Sequence, residues 1–171
     1  MKTVNYTKEG VNVNTELDGV IVRKHISGLA GGRALGLDAL KDNSNNVLVA
    51  AYTNNVVPCG LPIITDGNGN YIPLPPTDVT SGEGQSATTT YQFNKPDGWT
   101  YAGLCGATIL AGKPASVIVA GAINEVALLA NITEHFPSSL ETPNALSLSA
   151  IKSALPHLIF EKDEAGDVPS V

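Results

Sequence analysis

Charge is what this sequence has least of. Only 15% of its 171 residues are Asp, Glu, Lys or Arg, against about 25% in an average soluble protein. Long helices and coiled coils draw on Glu and Lys, so neither organises this chain. Long apolar runs are also missing: none approaches the roughly 18 residues of a membrane span. Aromatic residues are sparse at 5%, with a single Trp. What remains is a 43% hydrophobic complement, enough to build a core and too much for a disordered acidic segment. With 17 Gly and 11 Pro, and polarity supplied chiefly by Asn, Ser and Thr, the composition describes a turn-rich globule. Its length suits one compact domain that needs neither disulfide nor metal to fold.

Cysteine is scarce too. Cys59 and Cys105 stand apart from each other and from any histidine at ligand spacing, which argues against zinc. Each lies within an apolar run, where a buried free thiol is the ordinary reading. The N-terminus Met-Lys-Thr-Val-Asn-Tyr lacks the apolar stretch of a signal peptide. The expectation is a chain made in a reducing cytoplasm, or carried out of one within a particle.

The formal net charge is −6, the wrong sign for a nucleic-acid binder, which needs clustered Lys and Arg. The sign is unevenly spread. Residues 1–41 hold six basic and four acidic groups, the remainder four basic and twelve acidic, and no Lys or Arg occurs from Asp42 to Asn94. A mildly basic leader on an acidic body is the layout of a docking arm on a domain.

Within residues 1–22, Val4, Tyr6, Val11, Val13, Val20 and Val22 recur with strand-like alternation, broken at Lys8-Glu9-Gly10 and Asp18-Gly19. This predicts an extended arm with short β pieces. Residues 23–36 read as a Gly-rich loop, and Asn43-Ser44-Asn45-Asn46 as a turn closing a polar linker. Val47–Tyr52 is a short β-prone run. Gly60–Thr65, Asp66-Gly67-Asn68-Gly69-Asn70 and Tyr71–Leu74 make a hairpin, because Asp-Gly and Asn-Gly supply the positive φ of tight turns. Pro62 and Pro73 each remove a ladder donor, which predicts edge or rim strands. Strands are also expected at Thr88–Phe93, within Trp99–Leu110, at Ala115–Ala120 and at Leu158–Phe160. Helix is expected only late: two turns over Ala122–Leu129, and a helix capped by Thr142 or Asn144 and stopped by Pro156. The fold class is therefore mainly β with one or two short helices (α+β).

Catalytic punctuation is missing as well. His25, His135 and His157 form none of the H-x-E, H-E-x-x-H or H-x-H patterns of a metal site. Ser81-Gly82-Glu83-Gly84 does not make a nucleophile elbow. Gly28-Leu-Ala-Gly31-Gly32-Arg33 lacks both the Gly-Lys-Ser/Thr ending of a phosphate loop and dinucleotide-binding spacing. The carboxylates are dispersed without a proton partner. The chain reads as non-enzymatic, with no cofactor. One minor alternative is a sugar-binding β domain stacking on Trp99 and Tyr101 beside Asp97; core packing is the simpler role for those rings.

Several segments recur in a familiar order: Gly60-Leu-Pro-Ile-Ile64, the hairpin Asp66-Gly-Asn-Gly-Asn-Tyr-Ile-Pro-Leu74, Tyr101-Ala-Gly-Leu104, the strand Pro114–Ala120, then Gly121-Ala-Ile-Asn-Glu-Val-Ala-Leu128, and finally Ile151–Phe160. This order resembles the head decoration proteins of tailed bacteriophages, of the lambda decoration protein D type. Residues 1–45 have no counterpart in the minimal form of that family, and Ala122-Ile123 stands where a valine-rich strand end is usual. The resemblance implies a small β-barrel or β-tulip-like decoration domain over residues 46–162. It would be preceded by an extended capsid-docking arm with a Gly-rich joint (1–45) and followed by an acidic tail (163–171).

The implied function is a structural virion protein. It would bind the capsid exterior as a homotrimer and cement it, with the major capsid protein as partner and neither nucleic acid nor membrane involved. The implied docking residues are Val4, Tyr6, Val11, Val13, Val20, Val22, Arg23, Lys24 and Arg33. A head-fibre base or a tail adaptor of the virion is the alternative assignment.

Overall fold

The computed structural model describes residues 3–6, 11–36, 56–81, 88–110, 112–136 and 146–162. They are mainly β with three short helices. The first strands, β1 (Thr3–Tyr6) and β2 (Val11–Asn14), pair with each other antiparallel, with Val4 opposite Val13 and Tyr6 opposite Val11. A single helical turn, α1 (Asp18–Ile21), leads directly into β3 (Val22–Gly28).

The organising strand is β11 (Val117–Asn124), whose Val117, Ile118 and Ile123 are buried. Along one side it pairs antiparallel with β3. Along the other it meets two strands in succession. Near its start, Val117 and Ile118 face β9 (Thr100–Cys105). From Gly121 on, it runs parallel to β13 (Leu158–Glu161). Beyond β9 lie β5 (Pro62–Thr65) and β6 (Tyr71–Pro73), completing a six-stranded sheet. A two-stranded ladder joins β4 (Val56–Val57) to β10 (Ile109–Leu110). A three-stranded sheet is formed by β7 (Thr77–Ser81), β8 (Thr88–Gln92) and β12 (Leu146–Ser147). Among the described residues no sheet closes on itself.

The β5–β6 hairpin forms as its sequence predicts. Gly67 and Gly69 take φ of +79° and +94°, a region that glycine enters without steric cost. Asp66 ties the loop from within: Oδ1 accepts from the Asn68 and Asn70 amides at 2.8 and 3.2 Å, and Oδ2 from Asn70 Nδ2 at 2.6 Å. Pro73 lies on the edge strand β6, as expected, but Pro62 opens β5, an interior strand. First position is the other place where a sheet tolerates proline.

Residues 23–28 are not a glycine loop; they belong to β3, in the main sheet. The physical reason is close backbone approach. A Cβ on Gly28 would come within 2.7 Å of the Val117 carbonyl oxygen, and one on Gly121 within 2.1 Å of the Lys24 carbonyl oxygen. These glycines let β3 and β11 meet. The arm expected over residues 1–45 is likewise not extended throughout its described part. Ile21 and Leu35 are buried in the core, and Arg33 bridges Ala115 through both backbone groups, at 2.8 and 2.7 Å.

The late helices shift relative to expectation. Ala122 and Ile123 remain in β11, and the helix α2 spans Glu125–His135. Asn124 sets its start: its side chain accepts from the Ala127 amide at 3.1 Å, a side-chain N-cap. The last helix, α3, covers only Ser149–Ala154, because Leu146–Ser147 pairs parallel with β8 instead. Leu148, Ile151 and Leu155 are buried, as their spacing requires. Val47–Tyr52, the linker residues 37–46, the proposed caps Thr142 and Asn144, and the tail 163–171 lie outside the described residues.

Candidate docking edge

The predicted docking residues separate into groups. Val4, Tyr6, Val11 and Val13 lie in the β1–β2 hairpin, where each strand has the other as its backbone partner. Val20 and Val22 are half-buried against the core, because α1 and the first residue of β3 close over it. Arg33 is an internal clip: its Nη1 donates to the carbonyls of Ala30 and Gly32 at 2.8 and 2.7 Å, and its guanidinium lies 5.1 Å from the centre of the Tyr71 ring. That geometry holds the 30–33 turn against β6. Val20, Val22 and Arg33 are therefore engaged with the body of the protein, unlike the exposed Arg23 and Lys24.

Arg23 and Lys24 do share an exposed surface, and they share it with residues that alternation could not reveal. From Arg23 to Ser27, five consecutive residues of β3 are exposed. Among the described residues β3 pairs with β11 alone, so its outer edge faces away from the sheet. Register shifts occur at Ala120/Gly121 and at Ala122/Ile123. The first leaves Ile26 unmatched between Ser27, opposite Ala120, and His25, opposite Gly121; the second leaves Arg23 unmatched between Lys24, opposite Ala122, and Val22, opposite Ile123. Ile26 is 62% exposed, and Ile159 on β13, across β11, is 60% exposed. Lys24, Ala122 and Ile159 are directly in register across the three strands, so they share one face. Arg23 Nη1 approaches Glu161 Oε2 at 3.8 Å at the end of that face. The result is a basic strand edge carrying one exposed isoleucine, with a second exposed isoleucine two strands further into the sheet. The sequence signal was an isoleucine inside an Arg-Lys-His-Ile-Ser run, which a loop reading conceals.

Behind this edge sits a chain of buried polar contacts. Asp18, on α1, accepts from the Thr108 amide (Oδ2, 2.7 Å) and the Thr108 hydroxyl (Oδ1, 2.6 Å). The same hydroxyl accepts from the Cys59 amide at 3.0 Å, and the Cys59 carbonyl accepts from Asn131 Nδ2, also at 3.0 Å. His135 Nδ1 lies 2.9 Å from the Asn131 carbonyl. Burial raises the Asp18 carboxyl, an effect the Thr108 hydrogen bonds and nearby His135 only partly offset. This network joins α1, α2 and the turn before β10, and so fixes the root from which β3 leaves.

A second charged contact supports the β13 side. Lys152 Nζ donates to Glu125 Oε2 at 2.6 Å, with Glu125 largely buried, and stands 5.5 Å over the Phe160 ring. Cys59 and Cys105 are both free and buried. Burial pushes the Cys59 thiol well up and that of Cys105 up to about 12. The Tyr101 hydroxyl donates to the Phe93 carbonyl, and Trp99 and Tyr101, both half-buried, pack against the core. Among the described residues no group of three or more His, Cys, Asp or Glu is placed to hold a metal ion, and no helix is long and apolar enough to cross a membrane. No family model, no curated protein and no solved structure matches this chain.

Proposed function

We propose that this chain is a structural virion protein that attaches to the outer surface of a tailed-phage capsid as a homotrimer and cements the lattice. The observation that carries this reading is the exposed basic edge strand β3, which among the described residues pairs on one side only and carries the exposed Ile26. Main-chain hydrogen bonds along such an edge give affinity, and alternate side chains give selectivity. The order of sequence segments shared with phage decoration proteins supports the same reading. In it, the open sheets make a tulip-like decoration domain.

The docking element then differs from a free arm of 45 residues. Residues 18–36 belong to the body, so the edge is held in place before docking and loses little conformational entropy when it is covered. Three such edges on one trimer would raise the apparent affinity by about 10²–10⁴-fold over one. Binding that favours the assembled lattice stabilises it by mass action.

Cryo-microscopy of the parent particle tests the assignment. Density for this chain at three-fold positions on the capsid exterior is expected, and its absence from the exterior would refute it. Solution mass gives a cheaper check: three chains of 17.7 kDa are expected, and a clean monomer at micromolar concentration would count against the trimer. Removing residues 1–14 separates the β1–β2 hairpin from β3. Capsid binding should survive that deletion if β3 is the docking element.

A further inference from the structure

We infer that β3 accepts an added strand of specific chemistry: an extended protein segment with two adjacent carboxylates and an apolar side chain two positions beyond them. The inference rests on reading β3 as the docking edge and names what that edge recognises. Arg23 and Lys24 are adjacent and exposed, and His25 and Ile26 follow them. An incoming strand 4.7–4.9 Å away would set its side chains directly beside these. Carboxylates opposite Arg23 and Lys24 gain opposite-charge pairing, whereas basic residues there are repelled. An apolar residue beside Ile26 covers an isoleucine now 62% exposed. The molecule contains a small version of this recognition: Glu161, at the end of β13, already lies 3.8 Å from Arg23 on this face.

Charged residues and bulges on edge strands also serve to prevent unwanted pairing. Two features set β3 apart from a merely guarded edge. An edge protected against association has no reason to raise an isoleucine at its bulge. Nor does a chain with ten basic residues in all need two adjacent ones, followed by a histidine, on one exposed strand. The positive charge selects the partner, and the isoleucine supplies apolar contact.

The test uses the full chain and two blocked hexapeptides, Val-Thr-Glu-Glu-Thr-Val (Glu/Val) and Val-Thr-Lys-Lys-Thr-Val (Lys/Val), whose central charged pair and terminal valines match Arg23, Lys24 and Ile26 in either strand direction. Amide hydrogen exchange is followed with each peptide at millimolar concentration. The expected result is protection confined to residues 22–28 with the Glu/Val peptide, lost at high salt because the pairs are exposed, and none with the Lys/Val peptide. Lys24→Glu should weaken the protection about tenfold, as a steering charge does when reversed. Ile26→Asp should weaken it independently, with circular dichroism checking that both variants keep the fold. Equal protection by both peptides, or by neither, overturns the inference. So does peptide-independent protection of β3 that grows with protein concentration, which would assign the edge to a second copy. The peptide result does not depend on capsids. A chain that binds the Glu/Val peptide yet is missing from the particle would refute the virion assignment alone.

Discussion

Asp18 Oδ1 and Thr108 Oγ1 lie 2.6 Å apart although 90 positions separate them in the chain. The contact joins the turn that launches β3 to the segment between β9 and β10. Because the Thr108 hydroxyl also accepts from the Cys59 amide, one side chain passes a hydrogen bond from the turn between β4 and β5 to α1. Chains of this kind in a low-dielectric interior strengthen one another, so removing one end costs more than a surface contact would.

Replacing Asp18 by alanine strands the Thr108 amide and hydroxyl, and should cost about 1–3 kcal/mol in denaturant unfolding. Asp18→Asn keeps an acceptor without the charge and exposes the pH dependence. Burial raises the folded-state carboxyl above its unfolded value, so the folded protein holds the proton more tightly. Its contribution is fully present below the unfolded value of about 3.9 and is lost as pH rises through the folded one. Relative to Asp18→Asn, the wild type should therefore lose stability from about pH 4 towards neutrality. A constant difference across that range would contradict this.

Gly121→Ala places a Cβ 2.1 Å from the Lys24 carbonyl oxygen, a distance that forces β3 away from β11. A loss of about 1–3 kcal/mol is expected, the usual cost of overpacking. Amide exchange should accelerate first in residues 22–28. Uniform acceleration across the sheet would show that β3 does not move as a unit.

The Glu125–Lys152 pair is strongly asymmetric in burial: Lys152 is partly exposed and Glu125 largely enclosed. Lys152→Met leaves an enclosed carboxylate unpaired and should cost about 1–3 kcal/mol. Adding Glu125→Gln should recover part of that loss, because a paired deletion leaves no buried charge. A double-mutant cycle on chemical denaturation measures it, with a coupling above about 0.5 kcal/mol expected for groups in contact.

Cys59 and Cys105 should resist alkylation at pH 8. Burial holds both thiols in their protonated form, with Cys105 at about 12, and the thiolate is the reacting species. Native-state labelling by iodoacetamide should be at least roughly a hundredfold slower than in denaturant. Fast labelling of either residue in the native state would show that its environment opens.

Local chemistry was legible wherever it was sufficient. The Asp66–Asn70 turn, the strand at Val117–Ala120 and the buried Leu148/Ile151/Leu155 face all follow from residue type and spacing. Long-range pairing was not. Gly28 reads in sequence as part of a glycine-rich loop, yet it and Gly121 serve as contact points between strands almost ninety residues apart. Asn124 has an obvious capping side chain, but a β-capable Ala122-Ile123 and a helix-capable Glu125–Leu128 meet there, and only the pairing with β13 decides where the strand ends. The proposed docking surface was half visible. Arg23 and Lys24 could be chosen by charge, whereas Ile26 stands out only once residues 22–28 are placed as a strand, and Ile159 joins their face only once β11 is placed between β3 and β13.

The central claim is that β3 carries the attachment to a capsid. Its most direct test is co-sedimentation of the purified chain with the parent phage's expanded capsids, stripped of this protein, comparing wild type with the Arg23→Glu/Lys24→Glu variant. Saturable binding of the wild type, and a loss of at least about tenfold in the charge-reversed variant, is the predicted result. Equal binding by a correctly folded variant would contradict the role of β3, and no binding by the wild type would contradict the capsid assignment itself.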